Sequence, residues 1–311
     1  MIYLGGSDRI GTVHPRFEVD APEPTFLAAH PRLPLVYAVH ERPDGGLGVY
    51  DRELEPVAIL PSGGNGPCHL AVDPSGRWVA VAHYGDGSVA VHDLGADGVP
   101  TGVRVLAGEG GGPHPNQDGP HAHQCVFGDD GVLYVTDLGS DEIRRYRLGE
   151  EIQTLDPVRL KPGGGPRHMT TDGRHWYVAN ELDATVSVHD RAWTELSRTP
   201  ASGFSGLNYP SHIELSADGR HLYIANRGPD TIGVFAVGDG RVTPVAEVSS
   251  GGAWPRHFAL AGGRVYVACQ RAGHVAVFSL AGGLPEPTGE TIAHPGAACV
   301  LPVTPAEHED G

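Results

Sequence analysis

Arg167, Glu181 and Arg227 are residues of this 311-residue chain whose types suit chemistry on a small anion. A carboxylate placed among guanidinium groups can take a proton from water, while the planar positive forks hold a phosphate, a carboxylate or a developing oxyanion. His121 and His123, in the tripeptide HAH, stand on the same side of a strand start, a spacing that suits an acid/base pair or a metal. No third ligand accompanies them at a fixed spacing, so neither a metal nor another cofactor is expected. Arg256 follows a proline as Arg167 does, and His168 and Asn180 sit beside Arg167 and Glu181 in the sequence.

The segment that must position the central residues is 165–190, GPRHMTTDGRHWYVANELDATVSVHD. Two alternating apolar runs flank the turn DGR and a third follows ELDA, the pattern of three antiparallel strands A, B and C. Antiparallel pairing brings the residues before A and after B to the same end. Arg167 and His168 thereby meet Asn180 and Glu181.

The same pattern recurs along the chain behind prolines at 24, 67, 120, 166, 210, 255 and 295, at separations of 43, 53, 46, 44, 45 and 40 residues. A repeat of about 45 residues with several short strands is the length of one four-stranded blade. The last strand, AACVL, lacks partners downstream, and the opening IYLGGSDRIGTVHPRFEVD supplies three strands without a first. The chain therefore reads as all-β, a seven-bladed β-propeller in a single domain over 1–311, whose ring closes through a blade shared between the two termini. Closure of that kind removes sheet edges that would otherwise recruit other chains.

Alternation of strands divides the loops between two faces. The A-to-B turns are generic, whereas the B-end loops differ from blade to blade: HER, HYG, DLG, NEL, NRG and CQR. Variable loops on a regular scaffold carry function, which places the site at the A-start and B-end face, around the central channel. The Gly- and Pro-rich connection LAGEGGGPHPNQDGPHAH reaches that face, either as a surface loop or as a partial lid over the channel. Histidines stand two residues after the proline or close to it, at His69, His123, His168, His212 and His257, and their shared register points to bonds with neighbouring blade backbone. Glu41 and Asp137 read as structural or peripheral.

Composition excludes several classes. A formal net charge of −16 repels nucleic acid and anionic lipid. No apolar run approaches the roughly 18 residues of a membrane helix, and the N-terminus has neither a basic region nor a sustained apolar one, so a cytoplasmic protein with no nucleic-acid or membrane partner is expected. The four cysteines, Cys68, Cys125, Cys269 and Cys299, form no CxxC pair, and three lie within apolar strand patterns.

The ordered set PHAH, TDLGSD, GPRH, ANEL and SADGRHLYIANRG resembles the lactonase family of seven-bladed propellers, which includes the propeller type of 6-phosphogluconolactonase and the carboxy-cis,cis-muconate cyclases. The resemblance covers essentially the whole chain. It implies His123 (or His121), Arg167, Glu181 and Arg227 as catalytic residues and a small anionic lactone as the substrate; Arg256, His168 and Asn180, on the same face, are expected to bind that substrate with Arg167 and Arg227. Hydrolysis of a sugar lactone is the leading expectation; a muconate-type cyclase and a non-catalytic binding propeller are the alternatives. His83 and Cys269 depart from the asparagine that relatives often carry there, on the face where substrate would bind.

Overall fold

The computed structural model describes residues 1–303; the last eight residues of the expected domain lie outside it. Its strands form seven four-stranded antiparallel sheets, each following the chain from the channel outward, apart from the split one. That seventh blade joins Cys299–Pro302 to Ile2–Gly5, Arg9–Thr12 and Glu18–Asp20, with Tyr3 opposite Leu301 and Gly5 opposite Cys299. The Met1 ammonium also donates to the Val303 carbonyl at 2.8 Å, and Val303 N returns a bond to the Met1 carbonyl.

Burial follows strand position. Inner strands such as Leu35–His40 and Val132–Asp137 are buried throughout, because each B strand is covered on both faces by neighbouring blades. Tyr177, Ala179, Val186 and Val188 of the fourth blade pack on Ile213, Leu222, Ile224 and Phe235 of the fifth, and equivalent clusters fill the other interfaces. Outer strands such as Pro56–Pro61 alternate between exposed and half-buried, as a one-sided sheet edge does.

One irregularity positions the site. In the second to sixth blades the pairing of A with B slips at the start of A, between Pro67 and His69, Ala122 and Gln124, Pro166 and His168, Pro210 and Ile213, and Pro255 and His257. Each slip is a β-bulge, which re-aims a side chain. The bulged residues are Cys68, His123, Arg167, Ser211 with His212, and Arg256.

Candidate active site

The bulges build two tiers in the channel. The upper tier holds Thr25, Cys68, His123, Arg167, Ser211 and Arg256. A lower tier of Phe26, His69, Gln124, His168, His212 and His257 follows one residue later in each A strand, with Phe26 and His69 centroids 4.0 Å apart, His168 and His212 5.2 Å, and His212 and His257 3.9 Å.

This register corrects one expectation. Ala122 pairs with Asp137 as Pro166 pairs with Asn180, so the third blade is anchored at Ala122, two residues after Pro120. His123 thus stands at the position of Arg167 and Arg256, and Gln124 occupies the histidine position, where its Oε1 accepts Met169 N of the next blade at 2.6 Å. Counting back from the B strand VLYVTD, rather than forward from the proline, would have found it. The expected backbone-bonding role holds for His69, which accepts Cys125 N at 3.4 Å, and for His257, which accepts Val300 N at 3.3 Å. His168 lies in this lower tier, bonded through Nδ1 to His212 Nδ1 at 2.9 Å. One of that pair carries its proton on Nδ1 and the other accepts there.

In the upper tier Glu181 meets Arg167, as the hairpin geometry predicted, and Arg227 of the adjacent blade joins them. Glu181 Oε2 lies 3.0 Å from Arg167 Nε and 2.5 Å from Arg227 Nη2. The Arg227 contact is a hydrogen bond; Arg167 Nε approaches as an ion pair but off the line of its N–H. Arg167 is buried, 3% exposed at its side chain, and its Nη1 donates to the Ser211 carbonyl. Burial, with the charge of Arg227 next, pulls it down to about 9, opposed by Glu181, so it remains a cation at neutral pH. Arg227 is fixed by Tyr209 O at 3.1 Å and lies 5.3 Å over the Trp254 ring.

Arg256 belongs to the same constellation, its Nη2 2.5 Å from Glu41 Oε2, which also accepts the Thr25 hydroxyl. Glu41 was expected to be structural or peripheral; Arg256, bulged from the sixth blade, instead reaches it at the first. Three guanidinium groups against two carboxylates leave one positive charge in the channel of a chain whose formal charge is −16. A small anion is therefore the complementary guest.

The two histidines of HAH part company. His121 sits at the rim, stacked on Tyr84 at 4.4 Å, its Nδ1 2.7 Å from the Tyr84 carbonyl and its Nε2 3.3 Å from Asp118 Oδ1. His123 is buried beside the arginines, its Nδ1 3.9 Å from Cys68 Sγ and its ring 5.3 Å from that of His168. Burial above all, then the charges of Arg167, Arg256 and Arg227, hold it well below the ordinary imidazole range. His123 is thus neutral and can donate one N–H, but it stores no proton. Consequently His123→Ala should lower kcat without removing a limb near pH 6.5 from the pH–rate profile. Loss of such a limb would restore the imidazolium acid.

Asn180 turns into its own blade, its Nδ2 bonding Thr185 Oγ1 at 3.2 Å and Ser187 Oγ at 3.1 Å. Residues in the same register also bond within the scaffold: Asp137 pairs with Arg144 of its own blade, His83 bonds Ser88 Oγ of its own blade and Ser62 Oγ on the connection from the preceding one, and Asn226 and Cys269 reach the Ala201 and Ser250 carbonyls on such connections. His83 and Cys269 therefore tie their B strands to the connection from the preceding blade rather than facing a substrate. Replacing His83 by Asn should leave kcat and KM unchanged, and a shifted KM would return the position to the binding surface.

Tyr84, in the loop HYG, was missed. It packs edge-on to His123 at 5.8 Å, and burial first and the charge of Glu181 second raise its phenol, which stays protonated as a donor. An aromatic residue among otherwise polar B-end loops was its signal. The connection 107–120 is pinned to its own blade, Gln117 Nε2 donating to the Leu138 carbonyl at 2.8 Å. Among the described residues no three His, Cys, Asp or Glu side chains are placed to hold a metal, no helix is long and apolar enough to cross a membrane, and all four cysteines are free and buried.

Comparison with known proteins agrees with the seven-bladed fold. Among curated proteins, the chain is 30% identical over 266 residues to the 6-phosphogluconolactonase of Bacillus subtilis, covering 78% of this chain and 76% of that one. It is 28% identical over 254 residues to the 6-phosphogluconolactonase of Formosa agariphila, covering 73% and 70%. Among solved structures, the periplasmic gluconolactonase of Pseudomonas aeruginosa superposes with a TM-score of 0.88 at 26% identity, over 96% of this chain and 98% of the other. The model of the lactonase family of seven-bladed β-propellers matches residues 10–302, and the chain belongs to that family.

Proposed function

We propose that the protein hydrolyses a sugar lactone bearing one anionic group, with 6-phosphogluconolactone as the leading substrate. The observation that carries this reading is the carboxylate of Glu181 held between Arg167 and Arg227 at the channel mouth, with a surplus positive charge beside it. Two names among the relatives support it: 6-phosphogluconolactonase in Bacillus subtilis and gluconolactonase in Pseudomonas aeruginosa.

Glu181 Oε2 is occupied by the arginines, whereas Oε1 has no protein partner among the described residues and is the atom that takes a proton from water. The hydroxide adds to the lactone carbonyl, and the negative oxygen faces the cationic wall. Collapse breaks the bond between acyl carbon and ring oxygen, and Glu181 returns its proton to that oxygen, giving a hydroxy acid that ionises in water. His123 and Tyr84 assist as neutral donors. Arg167, nearly buried, orients Glu181; Arg227 and Arg256, at 10% and 15% exposure, are the arginines that meet the anion.

The experiment is a substrate comparison with purified protein: 6-phosphogluconolactone, gluconolactone and muconolactone, each with and without chelator. The expected order of kcat/KM is phosphorylated sugar lactone, then sugar lactone, then muconolactone, unaffected by chelator. Preference for muconolactone would favour the cyclase-type reaction, and chelator-sensitive turnover would bring a metal back to HAH.

A further inference from the structure

Glu41 pairs with Arg256 rather than with the arginines that hold Glu181, and the reaction above gives it no step. Its surroundings repeat those of Glu181. One oxygen, Oε2, receives both Arg256 Nη2 and the Thr25 hydroxyl, so the carboxylate is held in one orientation. The other, Oε1, has no protein partner among the described residues. The side chain keeps 26% of its exposure, the largest share among the five charged residues, against 17% for Glu181 and 3% for Arg167. The fields of Glu41 and Arg167 also overlap at Cys68, whose thiol is raised by burial first and by the charge of Glu41 second, and lowered by Arg256 and Arg167. A fixed, reachable carboxylate oxygen thus shares the channel with the base.

We infer that Glu41 is a specificity-determining residue, accepting hydroxyl groups of the substrate through Oε1 and so selecting polyhydroxylated lactones. An ionised carboxylate offers only acceptor sites. Sugar hydroxyls are donors that match it, an apolar lactone offers nothing to it, and a second carboxylate on the substrate is repelled. The neighbouring Arg256 cannot replace this preference, because a guanidinium only donates. The inference rests on the lactone reading and deepens it by naming what distinguishes one lactone from another.

The test compares wild type with Glu41→Gln on gluconolactone and on δ-valerolactone, the same ring without hydroxyls. Loss of a charge-assisted hydrogen bond should raise KM for gluconolactone by about 10- to 100-fold with kcat little changed, and leave δ-valerolactone kinetics unaltered. An equal KM for gluconolactone in the two proteins, or an equal loss on both substrates, overturns the inference. If wild type hydrolyses neither lactone, Glu41 is judged by calorimetric binding of gluconate against hexanoate, and the lactone reading itself fails only where 6-phosphogluconolactone is not hydrolysed either. Wild type should then prefer gluconate and Glu41→Gln should lose the preference; equal preferences in both overturn it. Should Glu41→Gln not fold, Glu41→Asp retains the charge while withdrawing the oxygens by one methylene. An intermediate rise in KM for gluconolactone supports the role, and wild-type discrimination by the Asp variant overturns it.

Discussion

Glu181→Gln should fold, bind substrate and lose about 10²- to 10⁴-fold in kcat, the range expected for removal of a general base. The amide is isosteric with the carboxylate, and its oxygen can face Arg167 and Arg227 as Oε2 does now. Its nitrogen then occupies the place of Oε1, which can donate but cannot take a proton from water. The substitution also raises the surplus positive charge of the channel by one, so KM for an anionic lactone should stay constant or fall. A drop in kcat with KM constant or lower is the signature of an interaction made in the transition state. Unchanged turnover in the folded variant would remove Glu181 from the chemistry, and a raised KM at constant kcat would make it a binding residue. Steady-state kinetics with near-ultraviolet circular dichroism as the folding control distinguishes these outcomes.

Acid should unfold the protein near pH 5, well above the pH at which carboxylates alone are titrated. Burial depresses His257 to about 3, and His40 and His83 to about 4, from an ordinary value of 6.5; His69, His123, His168 and His212 shift the same way. Below pH 6.5 the unfolded chain protonates these imidazoles and the folded one does not. The unfolded state then binds more protons, so the stability is full above about pH 6.5 and is lost as pH falls toward the folded values. At pH 5 each of the three with stated values costs about 2 kcal/mol, together about 6 kcal/mol, against a typical total of about 5–15 kcal/mol. Glu214, raised to about 8 chiefly by burial, works in the opposite sense but keeps 32% of its side-chain exposure, so solvent screening reduces its share. Urea midpoints measured from pH 7.5 to 5 should fall steeply below 6.5. A midpoint constant over that range would show that the channel imidazoles are protonated in the folded state.

The neutral histidines also show where sequence was a good guide and where it was not. Blade count, the split seventh blade and the meeting of Arg167, Glu181 and Arg227 follow from period-two alternation and the antiparallel rule, which depend only on spacing. A β-bulge at the start of an A strand is invisible to a count taken forward from the proline. Counting from Pro120 accordingly put His123 in the histidine tier, whereas the slip between Ala122 and Gln124 puts it among the arginines. Glu41 was legible as a residue in the right register but not as a partner of Arg256, because that contact skips the seventh blade and exists only once the ring is closed. Asn180 shows the reverse: it stands beside Glu181 in the sequence, yet alternation along its strand sends its amide to Thr185 and Ser187.

The central claim is that this channel is a catalyst for lactone opening and more than an anion-binding surface. Its most direct test is acid release from 6-phosphogluconolactone in a pH-stat at pH 7 with chelator present, read against the spontaneous rate in the same buffer. A saturable acceleration proportional to protein concentration, abolished in Glu181→Gln, is the predicted result. Saturable binding of the phosphorylated sugar acid with a lactone-opening rate equal to that of buffer alone would contradict it.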